Sequence, residues 1–194
     1  MARVTVNDQE STIDCSKLGK LSDLVELVKA TIDPEHMITG ITISGRDVDD
    51  PDWTCALSQF AAETVEFETG TPESFVRERL QLAPKVMRSI YNEFKDARKR
   101  FQDAKSQDAN KLLHQAVNAL KAFFEWYSAL LDLMTPELKQ KYDLSSHVSE
   151  VSKICTDICQ QQLYQSWWAL GESIEKRLEP RLDQMEDFLR RQVA

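Results

Sequence analysis

At Pro72 the hydrophobic period of this chain changes from two residues to about three and a half. A run that alternates with period two presents one face of a strand, whereas steps of three and four present one stripe of a helix. No single repeating element satisfies both, so the change predicts two parts: residues 1–70 in α/β structure and residues 71–194 in helices.

In the first part, Val4 and Val6 alternate, a polar Asn7-Asp8-Gln9-Glu10 turn follows, and Thr12-Ile13-Asp14-Cys15 reads as a second strand, giving a β-hairpin. After Lys17-Leu18-Gly19-Lys20, the positions Leu21, Leu24, Val25, Leu27 and Val28 recur at helical spacing, with Ser22 or a neighbour as cap and Asp33-Pro34 as the stop. Ile38, Ile41 and Ile43 form a β-branched strand, and Ser44-Gly45 turns the chain into a short strand at Val48. A polar stretch follows with Pro51 and Trp53, then an apolar turn at Leu57 and Phe60, then a strand with Val65 and Phe67 inside.

The resulting order is strand, strand, helix, strand, short strand, turn, strand. In about seventy residues it resembles the ubiquitin-like β-grasp fold, with Ile41 to Asp50 similar to that family's third strand, glycine turn and short strand. The resemblance implies that Leu57 plugs the core from a short helical turn. The family's conjugating members end in a flexible Gly-Gly tail. Here Thr69-Gly70-Thr71-Pro72 leads straight into a helix, so the implied role is a fixed interaction module rather than a carrier.

Beyond Pro72 two seams stand out. Ala83, Met87, Ile90, Phe94, Ala97, Phe101 and Ala104 step by fours and threes, as do Leu113, Ala116, Leu120, Phe123, Tyr127, Leu130 and Met134. Ser106 to Asn110 reads as the turn between two antiparallel helices, and Phe75, Arg79 and Leu82 extend the first helix backwards through a kink at Pro84. A short helix is expected over Pro136 to Tyr142.

A third long helix is expected from Ser145, with Leu144, Val148, Val151, Cys155 and Ile158 inward. It continues in a shifted register through Leu163, Trp167, Leu170, Ile174 and Leu178 and bends at Pro180, with a fourth helix after Pro180 as the alternative. At ~1.5 Å per residue that helix would be about 70 Å long, overhanging a second helix of about 40 Å. The overhang would need the α/β part or a second copy to cover it. The fold class is thus α+β: an N-terminal ubiquitin-like β-grasp domain followed by an antiparallel bundle of three long helices.

Charge supports the division. Residues 1–70 carry fourteen acidic and five basic side chains, a net −9, while residues 71–194 carry eighteen acidic and nineteen basic, a net +1. Phosphates are repelled by the first part, which argues against nucleic acid as its partner. No run of apolar residues approaches a membrane span, and Met1 to Glu10 does not read as a signal segment, so a cytoplasmic location is expected. The four cysteines are too scattered for a disulfide framework.

No nucleophile elbow, phosphate loop, dinucleotide fingerprint or zinc-protease motif occurs, so no catalytic residue, no cofactor and no metal is assigned. Cys155 and Cys159, one turn apart, with His147 upstream, are better read as small buried side chains than as metal ligands. The run Asp47, Asp49, Asp50, Asp52 lacks the pattern of a calcium loop and reads as a solvated turn.

The candidate partner-binding residues are the aromatics Trp126, Tyr164, Trp167 and Trp168 and the basic residues Arg98, Lys99 and Arg100. Phe123, Phe124, Trp126 and Tyr127 crowd one helix, and Tyr164, Trp167 and Trp168 another. Neighbours on a helix point about 100° apart, so some of these rings must leave the seam. The expected function is that of a non-enzymatic protein–protein interaction module (an adaptor, assembly factor or export-chaperone-like protein) acting through protein partners or self-association. The alternatives are an enzyme with a site assembled from scattered polar residues such as His114, Glu125 and His147, and nucleic-acid binding through the Lys95–Lys105 basic cluster.

Overall fold

The computed structural model describes residues 2–11, 13–15, 18–103 and 106–193. Thr12 of the expected hairpin, Lys17 of the connection after it, Ala104 of the seam and Lys105 of the basic cluster lie outside the described residues. The architecture is α+β, and the chain divides into two compact units, Met1–Phe75 and Val76–Ala194.

The first unit is a mixed five-stranded sheet with one helix. Its strands are β1 (Arg3–Val6), β2 (Gln9–Glu10), β3 (Met37–Ile43), β4 (Arg46–Asp47) and β5 (Thr64–Gly70), in the order β2-β1-β5-β3-β4, with β1 and β5 parallel and the other pairs antiparallel. The hairpin is tighter than the sequence predicts. Asn7 and Asp8 take φ of 48° and 63°, so these two residues alone make the turn, and the second strand is Gln9–Glu10 instead of residues 12–15. Asn and Asp tolerate this left-handed backbone, and a two-residue turn of this hand matches the twist of the strands it joins. The Asn7 amide then ties the turn to β5, donating to Thr69 Oγ1 at 2.9 Å and accepting the Thr69 N–H at 2.8 Å.

Helix α1 (Leu21–Thr31) buries Leu21, Leu24, Val25 and Val28 against the sheet, joined by Val4, Ile43, Leu57, Phe60, Val65 and Phe67. Its start is set by Asp23, whose carboxylate accepts the Gly19 and Lys20 N–H groups at 3.2 and 3.0 Å, in place of a Ser22 cap. Leu57 and Phe60 reach the core from a 3-10 turn, Leu57–Phe60. Strand β3 carries a bulge between Ile38 and Gly40.

In the second unit both expected seams are buried at every described position except Met134, which is half-buried past a helix end. The helices, however, are cut differently. A kinked continuous first helix is replaced by α2 (Pro72–Leu80), a turn at Gln81-Leu82, and α3 (Ala83–Gln102). Pro84 explains the break: it lacks an N–H, its ring crowds the preceding turn, and it fits best in the first turn of a new helix. Ser106 to Asn110 is helical from the outset, the first turns of α4 (Ser106–Asp132), with Ala109 buried.

The larger correction concerns the third helix. After α5 (Pro136–Lys141), α6 (Ser145–Leu163) stops at Leu163, and no helix of about 70 Å forms. Gln165 adopts a φ of 54°, its N–H donates to the Gln162 carbonyl at 3.0 Å, and the Ser166 N–H donates to Gln161 at 2.9 Å. These two bonds and the left-handed residue are a Schellman stop, normally made by glycine. The chain reverses there into α7 (Trp167–Ser173), a π turn (Ile174–Leu178) and α8 (Glu179–Val193), which run on as one rod. Continuation through Pro180 is as expected. The π turn accommodates it, with the Glu179 N–H reaching five residues back to the Ile174 carbonyl.

Among the described residues the unit therefore has four long rods rather than three: α3, α4, α6 and α7–α8. Helix α3 lies along both α4 and α8, and α6 packs on the α7–α8 rod. Within α6 the inward face is Val151, Ile154 and Ile158. Val148 and Cys155, expected inside, are half-buried.

Candidate protein-interaction site

The reversal at residues 164–166 fixes the placement of three of the four aromatic candidates. Leu163 and Tyr164, the last residues of the α6 turn, are each 81% exposed, and Trp168, in the first turn of α7, is 77% exposed. Trp167, next to it, points the other way and stacks on Phe101 with centroids 5.5 Å apart and planes 12° from parallel. The stacked Trp167 pins the start of α7 to the end of α3, and the adjacent Trp168 is left facing outward. Trp126 is half-buried on α4, its ring 5.7 Å from that of Phe123. It stands apart from the corner and widens the core cluster.

The basic candidates separate as well. Arg98 faces into the bundle: it is 9% exposed, and its Nε donates to the Glu179 carboxylate at 2.7 Å, with a second bond to Glu175 at 3.1 Å. It is thereby removed from the outward cluster in which the sequence places it. Lys99 is exposed and paired with Asp96 at 3.3 Å, Arg100 is exposed, and Lys95 lies 5.8 Å from the Tyr91 ring centroid. Exposed ion pairs contribute roughly 0–1 kcal/mol, whereas covering a large apolar side chain contributes about 1.5–3 kcal/mol. On these magnitudes the apolar corner outweighs the basic residues as a contact surface.

Clefts lie between α4 and α6: a wide one of about 470 Å³, lined by Phe124, Leu131, Leu144, Val148 and several serines, and a narrow one of about 190 Å³ that brings His114 beside Cys155 and Cys159. Gln162 Nε2 donates to Asn110 Oδ1 at 2.9 Å, and the Tyr127 hydroxyl donates to the Tyr142 carbonyl at 2.8 Å. Burial pushes the Cys155 thiol up to about 11, with Cys159 adding to the rise, which leaves it protonated and a poor nucleophile near neutrality. Cys159 is exposed.

The polar trio considered for acid–base work is dispersed. His114 lines the narrow cleft, Glu125 pairs with Lys121 at 3.6 Å, and His147 lies against the Phe188 ring, centroids 5.8 Å apart. Among the described residues no three metal-ligating side chains converge. In the acidic turn of the first unit, Asp52 is engaged internally: it binds Arg46 at 2.9 Å and accepts the Asp49 N–H at 3.0 Å.

The helical spacing places Leu163 in a seam, whereas the structure exposes it. The signal that marks it as a helix end is the polar run Gln160, Gln161, Gln162 before it and Gln165, Ser166 after it. Among the described residues no helix is long and apolar enough to cross a membrane. Comparison with protein-family models, with curated proteins and with solved structures gives no match.

Proposed function

We propose that this chain is a non-enzymatic protein–protein interaction module, an adaptor or assembly factor, in which a ubiquitin-like β-grasp domain is joined to a helical bundle. The sheet order, with its parallel β1–β5 pair and a single helix across one face, supports the β-grasp reading. The observation that carries the functional reading is the corner at Leu163, Tyr164 and Trp168. Scattered exposed apolar residues are ordinary, but three large ones within six positions, braced by the Trp167–Phe101 stack, form a preorganised anchor of the kind found at the centre of protein interfaces. Nucleic acid is the weaker partner, because Arg98 and Lys99 already hold carboxylates.

The test is a Leu163→Ser, Tyr164→Ser, Trp168→Ser variant. All three side chains are exposed, so circular dichroism and thermal stability should match the parent. Proteins co-purifying with the parent from its native extract, identified by mass, should be lost with the variant. Retention of the same proteins by a folded variant would remove the corner from the proposal.

A further inference from the structure

We infer that the outer edge of β3 is a docking site for an extended peptide whose side chains alternate between apolar and basic, added as a sixth strand. This goes beyond the corner, which lies in the other unit and is tested separately.

Three features of the first unit identify the occupant. The first is the backbone. Strand β3 pairs with β5 from Met37 to Ile43, interrupted by the bulge between Ile38 and Gly40, but β4 covers its other side only at Thr42 and Ile43, with one further bond from the Val48 N–H to the Ile41 carbonyl. Among the described residues, nothing pairs with the backbone of Met37 to Gly40 on that side. Unpaired amide and carbonyl groups along a strand edge are matched in register only by another strand, which is the physics of β-augmentation.

The second feature is an apolar groove along the same edge, on the face that carries α1. It is about 490 Å³ and is lined by Val25, Ile38, Ile41 and Trp53, with Glu26 and Lys29 at the rim. Glu26 and Lys29 pair with each other at 2.7 Å, so the rim brings little net charge. Alternate side chains of an added strand would fall into this groove.

The third feature is charge on the opposite face. The Glu66 carboxylate leans over β3 to accept the Thr42 hydroxyl at 2.9 Å. The Glu68 carboxylate leans over Gly40, where a Cβ would lie only 2.9 Å from Glu68 Oε2; the glycine leaves the room it occupies. Neither carboxylate has a cationic partner among the described residues. The intervening side chains of an added strand would meet these two carboxylates within residues 1–70, whose net charge is −9, which selects lysine or arginine.

The experiment uses the full chain, labelled with nitrogen-15, and a capped nonapeptide of alternating lysine and valine as the probe. Amide shifts at Met37 to Ile41 and at the Trp53 indole are expected. Binding should weaken about tenfold in a Glu66→Gln, Glu68→Gln variant, and it should weaken with added salt as surface charge pairs do. The same peptide N-methylated at alternate residues should not bind, because it cannot donate to the edge. Three outcomes overturn the inference: no shifts up to millimolar peptide; shifts confined to residues 163–168; or concentration-dependent shifts at Met37 to Gly40 without peptide, which would give the edge to a second copy of the chain. The Leu163, Tyr164, Trp168 variant should bind the peptide normally, so failure of either proposal is distinguishable from failure of the other.

Discussion

Arg98 and Glu179 meet across the interior of the second unit, guanidinium Nε to carboxylate oxygen at 2.7 Å, with both residues buried. The pair joins α3 to the first turn of α8, just beyond the π turn. Around it, Tyr91 donates its hydroxyl to Glu179 at 3.4 Å, and Arg88 holds Asp183 at 2.8 Å together with the buried Glu186. One side of α3 is thus a ladder of arginines facing the carboxylates of the last rod. Uniform apolar packing would allow α8 to slide along α3 by a turn, whereas displacing Arg98 would leave the buried Glu179 without its cation.

The two partners of this pair are unequal, which gives a directional prediction. Among the described residues, Glu179 without Arg98 retains only the long Tyr91 contact. Without Glu179, Arg98 retains Glu175 at 3.1 Å. Arg98→Met should therefore destabilise the chain by about 3 kcal/mol, near the lower end for breaking a buried pair, and Glu179→Gln by less. The double variant should lose less than the sum of the singles. Urea unfolding of the four proteins measures this, and strict additivity would mean that the pair is not coupled.

In the first unit the sensitive charge is Asp52. Its hydrogen bond to Arg46, together with the Asp49 N–H, holds its carboxyl down to about 2, below the ordinary carboxylate value. A depressed folded-state value means that the stabilisation is present in full above the unfolded value, near pH 4, and is lost as the pH falls through about 2. Thermal midpoints recorded from pH 5 to pH 2 should fall for the parent. Asp52→Asn should have a lower midpoint at pH 5 and a shallower fall, the two curves converging at the acid end.

Much of this architecture is legible in the two hydrophobic periods. Strands β1, β3 and β5, helix α1 and the seams of α3 and α4 follow from spacing, because every seam position is chosen by the same core. The departures from that spacing are decided by single backbone conformations. Asn7-Asp8 closes the hairpin with left-handed residues that are not glycine, and Pro84 starts a helix rather than bending one. Arg98 is legible in the sequence only as a charge: its neighbours Lys99 and Arg100 point outward, and its partners lie 77 and 81 positions away. The stripe shifts register between Ile158 and Leu163 and then runs in phase from Leu163 through Leu170, across the break, which hides where the helix ends.

That hidden break supplies the last prediction. Gln165 holds the left-handed position of the Schellman stop at φ 54°, where a side chain costs roughly 1–2 kcal/mol relative to glycine. Glycine's larger freedom in the unfolded chain offsets about 0.5–1 kcal/mol of that. Gln165→Gly should therefore stabilise the chain by about 0.5–1 kcal/mol. Gln165→Val should destabilise it, since a β-branched residue tolerates this conformation worst. The same pair of variants bears on the exposed corner, because Gln165 sets the angle at which α7, carrying Trp168, leaves α6. Stabilisation by glycine with an unchanged set of co-purifying proteins would show that the turn only holds the corner. If valine lowered stability and partner capture together, the turn's conformation would be what presents Leu163, Tyr164 and Trp168 as one surface. If glycine destabilised the chain, the left-handed stop would not be the conformation of Gln165 in solution.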